Sequence, residues 1–398
     1  MYRKKQSINF LLTSEQVVTI LEVSVCSLLL IGDKESNTMS EVLLNQKEVS
    51  KRKELRSIQK QSKREYGRGK SIVKAKIGKL IDVEEVQEYA AISNGTRNNP
   101  DMEEFLNLLR ELQLTGMSGN GFPVYKKIEK IATCQARTLI INGVECEPGL
   151  LHDRWLLENH WEEIKGGIQY LQEKLYFDRC ILAYSMNRKA RRNHEKESIC
   201  EICHVPAKYP MGEERFLIKQ LLGKEISKEK YPAEQGILVL NVQTVFQISN
   251  ILSGTYQNGR YITAANLDTG KAKIIYAEKG TDIKQKTAEV FGVNTDVPCF
   301  AGGGVMSAHK VTDGEVFTDS VCFIAIGTSA EITNEHACKG CGKCNRKCPA
   351  GVDIREIVKR REKNPHADIT GLGMEKCIHC GCCTFFCRAG KDTLAYFD

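Results

Sequence analysis

Helical and strand periods alternate along the chain in an order that predicts an α/β protein. Residues 102–114 place Phe105, Leu106, Leu108, Leu109 and Leu112 at helical spacing. Residues 137–144 (RTLIINGV) form a short apolar run that ends in an acidic loop, the pattern of a buried strand. Residues 161–175 return to an amphipathic helix and 180–185 to a strand. After Gly236 the strand ILVLNV is followed by a helix that runs through Leu252. Strand, loop and helix in succession predict a mostly parallel sheet, and ligands on such sheets sit at the carboxyl ends of the strands. From residue 260 the pattern changes to short strands at 260–266 and 271–278, a helix near 284–291, a glycine knot at 302–304 and a last strand at 321–326. That is the outline of a β-grasp-like module. A weak alternation at 71–81 predicts one more strand. The expected division is an N-terminal extension over 1–70, an α/β domain over 71–252, the β-grasp module over 253–330 and a cysteine-rich domain over 331–398.

Nine of the 17 cysteines lie between Cys338 and the C-terminus. Short spacing and an odd total argue for metal ligation in a reducing compartment rather than a disulfide framework. One run reads C-x2-C-x2-C-x3-C-P from Cys338 to Pro349, and a second reads C-x2-C-x2-C-x3-C from Cys377 to Cys387. This is the spacing of a two-cluster ferredoxin, in which the fourth cysteine of each run ligates the other cluster. One [4Fe-4S] cluster is expected on Cys338, Cys341, Cys344 and Cys387, and the other on Cys377, Cys380, Cys383 and Cys348. Folding and metal loading should then be coupled, because neither cluster forms without the other half. Zinc modules pair two short knuckles per metal and rarely repeat this run. Arg388 replaces the second proline, and Cys382 is a spare thiol beside Cys383. A further pair, Cys200 and Cys203 followed by His204, has the spacing of covalent haem attachment, a chemistry of exported proteins. The alternation of Ile199, Glu201, Cys203 and Val205 reads instead as an ordinary strand.

Charge changes the picture only at one place. The formal net charge is +7, and residues 47–70 hold ten Lys and Arg against three Glu, so the remainder is neutral. Such an arm could touch nucleic acid or an anionic membrane through phosphate attraction. No aromatic platform is interleaved with the charges, so it is read as a solvated, partly disordered extension with no nucleic-acid target. The apolar run at 23–32 is about half the length of about 20 residues that a bilayer core requires. No membrane span, no export and a cytoplasmic location are expected.

A two-cluster ferredoxin fused to so large a scaffold calls for a second redox centre. The residues GMSGNGFP, 116–123, place three glycines after a helix and before a lysine pair, where backbone amides can approach an anion. With Lys127 this loop resembles the flavin phosphate loop of the NADH-binding flavoprotein of respiratory complex I and of the C subunit of Rnf-type ferredoxin:NAD oxidoreductases. Three further segments follow in the family's order. INGVECEPGLLHDR (141–154) resembles its Asn-x-x-Glu-x-Glu-Pro loop, KYPMGEERFLI (208–218) its Tyr-x-x-Gly-Glu-Glu segment, and LNVQT (240–244) its Asn-Val-Glu-Thr segment. The likeness runs from about residue 114 to the C-terminus and includes a module like the family's SLBB domain. The electron-transfer protein associated with D-proline reductase in amino-acid-fermenting anaerobes has the same fused layout.

The resemblance implies FMN, NADH and two [4Fe-4S] clusters as cofactors. It implies that Gly116, Gly119, Gly121 and Lys127 hold the FMN phosphate, while Asn142, Asn241 and Thr244 contact the flavin or its ribityl chain. It places Glu145 and Glu147, as the catalytic pair, with Gly212, Glu213 and Glu214 on the nicotinamide side and Tyr209 nearby. Met117 and Ser118 replace the usual Arg or Leu and Gly, Gln243 stands where glutamate is common, and Leu240 where complex I has a first asparagine. The Rnf protein's lipoyl-like N-terminal domain has no counterpart beyond 71–81. The implied activity is an NADH:acceptor oxidoreductase subunit that wires FMN and the clusters to a protein acceptor or donor. That partner would be a set of Rnf-like subunits, with peripheral membrane association, or a soluble reductase such as one for proline. Ser118 and Gln243 favour the alternative of a flavin-less iron-sulfur adaptor that docks and wires a partner reductase.

Overall fold

Four strands form an all-parallel sheet in the order β4-β3-β2-β5: β2 is Thr138–Gly143, β3 Arg179–Ser185, β4 Glu201–Val205 and β5 Ile237–Asn241. The computed structural model that shows this describes residues 82–87, 99–118, 121–185, 199–227, 229–306, 308–327 and 336–397. The basic arm at 47–70, the apolar run at 23–32, the alternation at 71–81 and Gly119 lie outside the described residues.

The inner strands β2, β3 and β5 are buried on both faces, which explains why they read as unbroken apolar runs, whereas the edge strand β4 (EICHV) is largely exposed or half-buried and mixes polar with apolar residues. Leu139, Ile140 and Ile141 of β2 are fully buried in succession. Helix α1 (Met102–Glu111) starts at Asp101, whose carboxylate accepts from Glu104 N at 2.9 Å, and α2 is Val124–Ala132. After β2 come α3 (His152–Asn159) and α4 (Trp161–Leu175). Helix α5 (Glu214–Leu222) lays Leu217 and Ile218 against Ile140, Ile181 and Val239. Helix α6 (Val242–Leu252) packs on α4 and is buried nearly all round, so its polar stripe of Gln243, Gln247 and Asn250 is satisfied by hydrogen bonds inside the protein rather than by solvent. Burying each of these Leu or Ile side chains contributes roughly 1.5–3 kcal/mol.

The chain fills β2, β3 and β4 outward in one direction and then places β5 on the other side of β2. The crevice where the direction reverses lies at the carboxyl ends of β2 and β5, where α/β sheets bind ligands. Asn142 and Asn241 are register partners at that edge.

A second sheet has the order β1-β7-β6-β10-β8-β9. Its strands are β1 (Asp82–Gln87), β6 (Gly259–Asn266), β7 (Lys271–Glu278), β8 (Cys299–Gly302), β9 (His309–Lys310) and β10 (Phe323–Ile326). Helix α7 (Ile283–Phe291) contributes Ile283 and Val290 to the core beside Ile262, Ile275 and Ile324. β10 runs parallel to β6 and antiparallel to β8. One compact unit comprises Glu84–Asn266 and Ala272–Gly327, and the other Thr328–Asp398 with Leu267–Lys271.

In the C-terminal unit, α8 (Lys343–Lys347), α9 (Ile354–Lys363) and α10 (Cys382–Phe385) surround a core of Val352, Ile354, Ile357, Val358, Cys383 and Phe397. The two cysteine runs fold alike. Each third cysteine, Cys344 or Cys383, is the second residue of a short helix, and each fourth, Cys348 or Cys387, lies at or just past that helix's end.

Candidate functional site

Asn142 and Asn241 are both buried and each braces a turn of backbone. Asn142 Oδ1 accepts from Val144 N at 3.0 Å, and its Nδ2 donates to Gly212 O at 2.9 Å. Asn241 caps α6 by accepting from Gln243 N at 2.9 Å, and its Nδ2 donates to Asp153 Oδ2 at 2.6 Å. Gln243 then joins the two sheets' layers: its amide accepts from Tyr261 N at 2.8 Å and donates to Tyr261 O at 2.9 Å. His152 Nδ1 and Leu151 N both reach Thr263 Oγ1, at 3.1 and 2.9 Å. Burial holds the His152 imidazole well below its usual pKa, so it is neutral.

The acidic loop after β2 divides its carboxylates between two supports. Glu145 Oε1 accepts from Asp153 N at 2.8 Å; burial, and then the Asp153 charge, push Glu145 up to about 8. Asp153 is pushed up to about 6 by burial against the opposing bonds from Asn241 and Gln243 and the Arg260 charge. Glu147 Oε1 accepts from Met306 N at 2.8 Å, and a Cβ at Gly304 would overlap its carboxylate. Cys146 accepts from Gly212 N at 3.2 Å, and burial raises its thiol to about 12, so it is a neutral packing group. Gly212 fits because a Cβ there would meet Val144 O at 2.6 Å.

The glycine turn is fastened by its main chain. Gly116 N donates to Phe122 O at 2.8 Å, Met117 N to Thr244 Oγ1 at 3.0 Å, and Arg260 Nη2 to Met117 O at 2.7 Å. Gly121 closes the turn with φ +59°. The side chain at 117 is buried, so methionine here serves packing while its backbone is fixed from both sides. Thr115 Oγ1, just before the turn, is buried with no partner among the described residues.

Lys127 Nζ lies 3.0 and 3.2 Å from the two Glu214 oxygens and 3.2 Å from Val239 O. The lysine expected at the FMN phosphate and the glutamate expected on the nicotinamide side are thus ion-paired with each other. Glu213 instead caps α5, accepting from Arg215 N and Phe216 N at 3.0 Å each. Tyr209 is half-buried in the segment leading to Gly212. Sequence reasoning missed Asp153, Arg260, Thr263 and Gly304 as site residues; Asp153 carried a signal as the last acid of the 141–154 loop, and Gly304 as the end of the glycine knot at 302–304.

The four thiols expected to hold one cluster lie around a single pocket. This small pocket is lined by Cys348 from the first run and Cys377, Cys380 and Cys383 from the second, with Val352, Ile354, Leu394 and Phe397 completing an apolar wall. Burial raises the Cys344 thiol, and the nearby Cys387 and Cys338 thiols raise it further. Burial pushes Cys383 up to about 11, so it needs a metal to ionise at neutral pH. Cys382 also lines the cavity and is hydrogen-bonded to Cys380, so the spare thiol has a structural neighbour. Among the described residues no three such side chains close around a single ion. The donor set fits clusters, and the buried amides, fastened turn and orphaned Thr115 hydroxyl at the switch point fit a phosphorylated, polar-edged ring system.

Comparison with known proteins agrees with this geometry. Residues 109–250 match the family described as the Nuo51 FMN-binding domain, and residues 330–388 match the 4Fe-4S dicluster domain. The C subunit of the ion-translocating oxidoreductase complex of Vibrio cholerae is 31% identical over 261 residues, 63% of this chain and 34% of that protein. The C subunit of the proton-translocating ferredoxin:NAD(+) oxidoreductase complex of Clostridium ljungdahlii is 28% identical over 258 residues, 62% of this chain and 56% of that protein. The chain therefore spans between a third and somewhat over half the length of these relatives. A crystal structure of an NAD+-reducing [NiFe]-hydrogenase in the H2-reduced state shares the fold, with a TM-score of 0.54 at 17% identity over 76% of this chain and 65% of that one. The chain is RnfC-like in layout: an FMN-binding α/β domain followed by a dicluster domain, with FMN and two [4Fe-4S] clusters as its cofactors. No helix among the described residues is long and apolar enough to cross a membrane.

Proposed function

We propose that this chain is an NADH:acceptor oxidoreductase subunit, exchanging electrons between a nicotinamide nucleotide and a protein partner. Bound FMN would supply the exchange between two-electron and one-electron chemistry, and the clusters one-electron carriage. The observation that carries the reading is the switch-point crevice, where the paired asparagines Asn142 and Asn241, the fastened turn and the Glu145–Glu147 loop converge in one compact unit. The turn between Gly116 and Gly121 would receive the phosphate through main-chain N–H groups other than those of Gly116 and Met117, which Phe122 O and Thr244 Oγ1 already hold. Lys127 would add positive charge from a position fixed by Glu214 rather than as a free ammonium. Thr244 would position the turn by holding Met117 N. Glu147, held by Met306 N, would orient the nucleotide through carboxylate hydrogen bonds, and Glu145 would present a protonated carboxyl near neutral pH. The relatives are named as C subunits of translocating oxidoreductase complexes, one of them a ferredoxin:NAD(+) oxidoreductase, which supports a membrane-associated assembly of partner subunits as the acceptor.

The test is anaerobic reconstitution of the full chain. NADH-dependent reduction of a one-electron dye, flavin absorbance, and loss of dye reduction in Glu147→Ala with iron content unchanged are expected. Iron and sulfide bound without flavin would overturn the reading in favour of an adaptor.

A further inference from the structure

We propose that Cys180 and Cys200 form an oxidisable pair that latches the edge strand of the parallel sheet. β3 and β4 are paired with Ile181 opposite Glu201, so one step earlier Cys180 faces Cys200 across the strands. Neighbouring strands lie about 4.8 Å apart, inside the range of about 4.4–6.8 Å between Cα atoms that a disulfide spans. The two Sγ atoms are 2.9 Å apart. Cys180 is buried and Cys200 half-buried, so the outer thiol is reachable and the inner one is shielded. Cys203 is not the partner, although it is nearer in sequence: at three positions' separation it points to the other face of the strand, where its Sγ donates to Glu201 Oε1 at 3.4 Å.

The position gives the pair a role. β4 is the edge strand, and the segment after it carries Gly212, whose O receives Asn142 and whose N–H donates to Cys146 in the flavin-side loop. Beside the thiols, the start of β4 is clamped to β3 by the fork of Arg179 on Glu201, with both bonds at 2.8 Å. That ion pair is solvent-exposed and contributes little alone. A covalent bond one residue away fixes the register of β4, and with it the approach of the wall to the site. The oxidant is hydrogen peroxide. The Cys200 thiolate takes one peroxide oxygen as sulfenic acid while the other leaves as water; the Cys180 sulfur then attacks the sulfenic sulfur, forming S–S, breaking S–O and releasing a second water. Two thiols are oxidised by two electrons, one peroxide is reduced to two waters, and a dithiol reductant reverses the step.

Full-length, cluster-loaded protein is exposed to equimolar hydrogen peroxide, alkylated and digested without reductant, in parallel with hydrogen exchange. A peptide joining Cys180 to Cys200 is expected, absent in Cys200→Ser and lost on adding dithiothreitol. Amide exchange over 201–205 and at Gly212 is expected to slow by about tenfold or more, a modest share of what a cross-link contributes. Both cysteines remaining alkylatable, or Cys200 joined to Cys203, overturns the pairing. A cross-link that leaves exchange over 201–205 and at Gly212 unchanged overturns the latch.

Discussion

A methyl group at Gly304 would run into the Glu147 carboxylate, whereas one at Gly212 would meet the main-chain oxygen of Val144 at 2.6 Å. The first obstacle is the end of a flexible side chain and the second is a strand-end carbonyl. Gly304→Ala should therefore cost under about 1 kcal/mol of stability yet displace Glu147 and lower NADH-dependent dye reduction by about tenfold, while Gly212→Ala should cost about 1–3 kcal/mol as well. Thermal unfolding alongside the dye assay separates the two; equal losses of stability would refute the distinction. Glu145 gives a pH prediction. It titrates near 4.5 when unfolded and near 8 in the folded chain, chiefly through burial. The folded state then binds more protons across that window, so its stabilising share is full below about 4.5 and is lost as pH rises toward about 8. Glu145→Gln keeps an oxygen for Asp153 N and has no proton to lose, so stability should fall less between about pH 5 and 8 than in the wild type. Melting temperatures at stepped pH check this, and an unchanged slope would assign the proton elsewhere.

At the scale of elements, Asn241 ends β5 and begins α6, so one side chain couples sheet, helix and site. Removing an N-cap alone costs about 1 kcal/mol. Asn241→Ala also strips Asp153 of a 2.6 Å bond inside the protein, so a loss of about 2–4 kcal/mol is expected. Asn241→Ser, which keeps the cap, should recover about 1 kcal/mol of that in urea unfolding. The elements themselves are largely legible in the sequence: the helix expected at 161–175 is Trp161–Leu175, and the strand expected at 271–278 is Lys271–Glu278. Periodicity reports which faces are buried, and these elements bury a clear face. What periodicity does not carry is which distant groups meet. Gln243 replaces the glutamate of the Asn-Val-Glu-Thr segment that LNVQT resembles, and in the sequence alone it weighs against flavin binding. In the folded chain that side chain must both donate to Tyr261 O and accept from Tyr261 N beside Asp153. A carboxylate could only accept, and would face a second acid. The amide answers a partner 90 residues away, which no local pattern encodes. Lys127 and Glu214, 87 residues apart, are the same case.

Across the whole molecule, two compact units each have their own core, and only one of them places cluster thiols within that core. The crossed ligand sets are what the run spacing implies, the fourth thiol of one run serving the other cluster. Cys348 sits with Cys377, Cys380 and Cys383 around one cavity and packs on Val352 and Phe397, so ligation and packing are the same interaction there. Cys348→Ala should therefore lower iron from about eight to about four atoms per chain and loosen the C-terminal unit at once. The unit holding the parallel sheet has no cluster ligand in its core, so its FMN content should be unchanged. Calorimetry should resolve two transitions, because multidomain chains need not unfold as one. Iron chelation or Cys348→Ala should shift the transition of the cluster unit and leave that of the flavin unit in place. If both moved together, the clusters would be stabilising the flavin unit as well, and the independence of the two cores would be wrong.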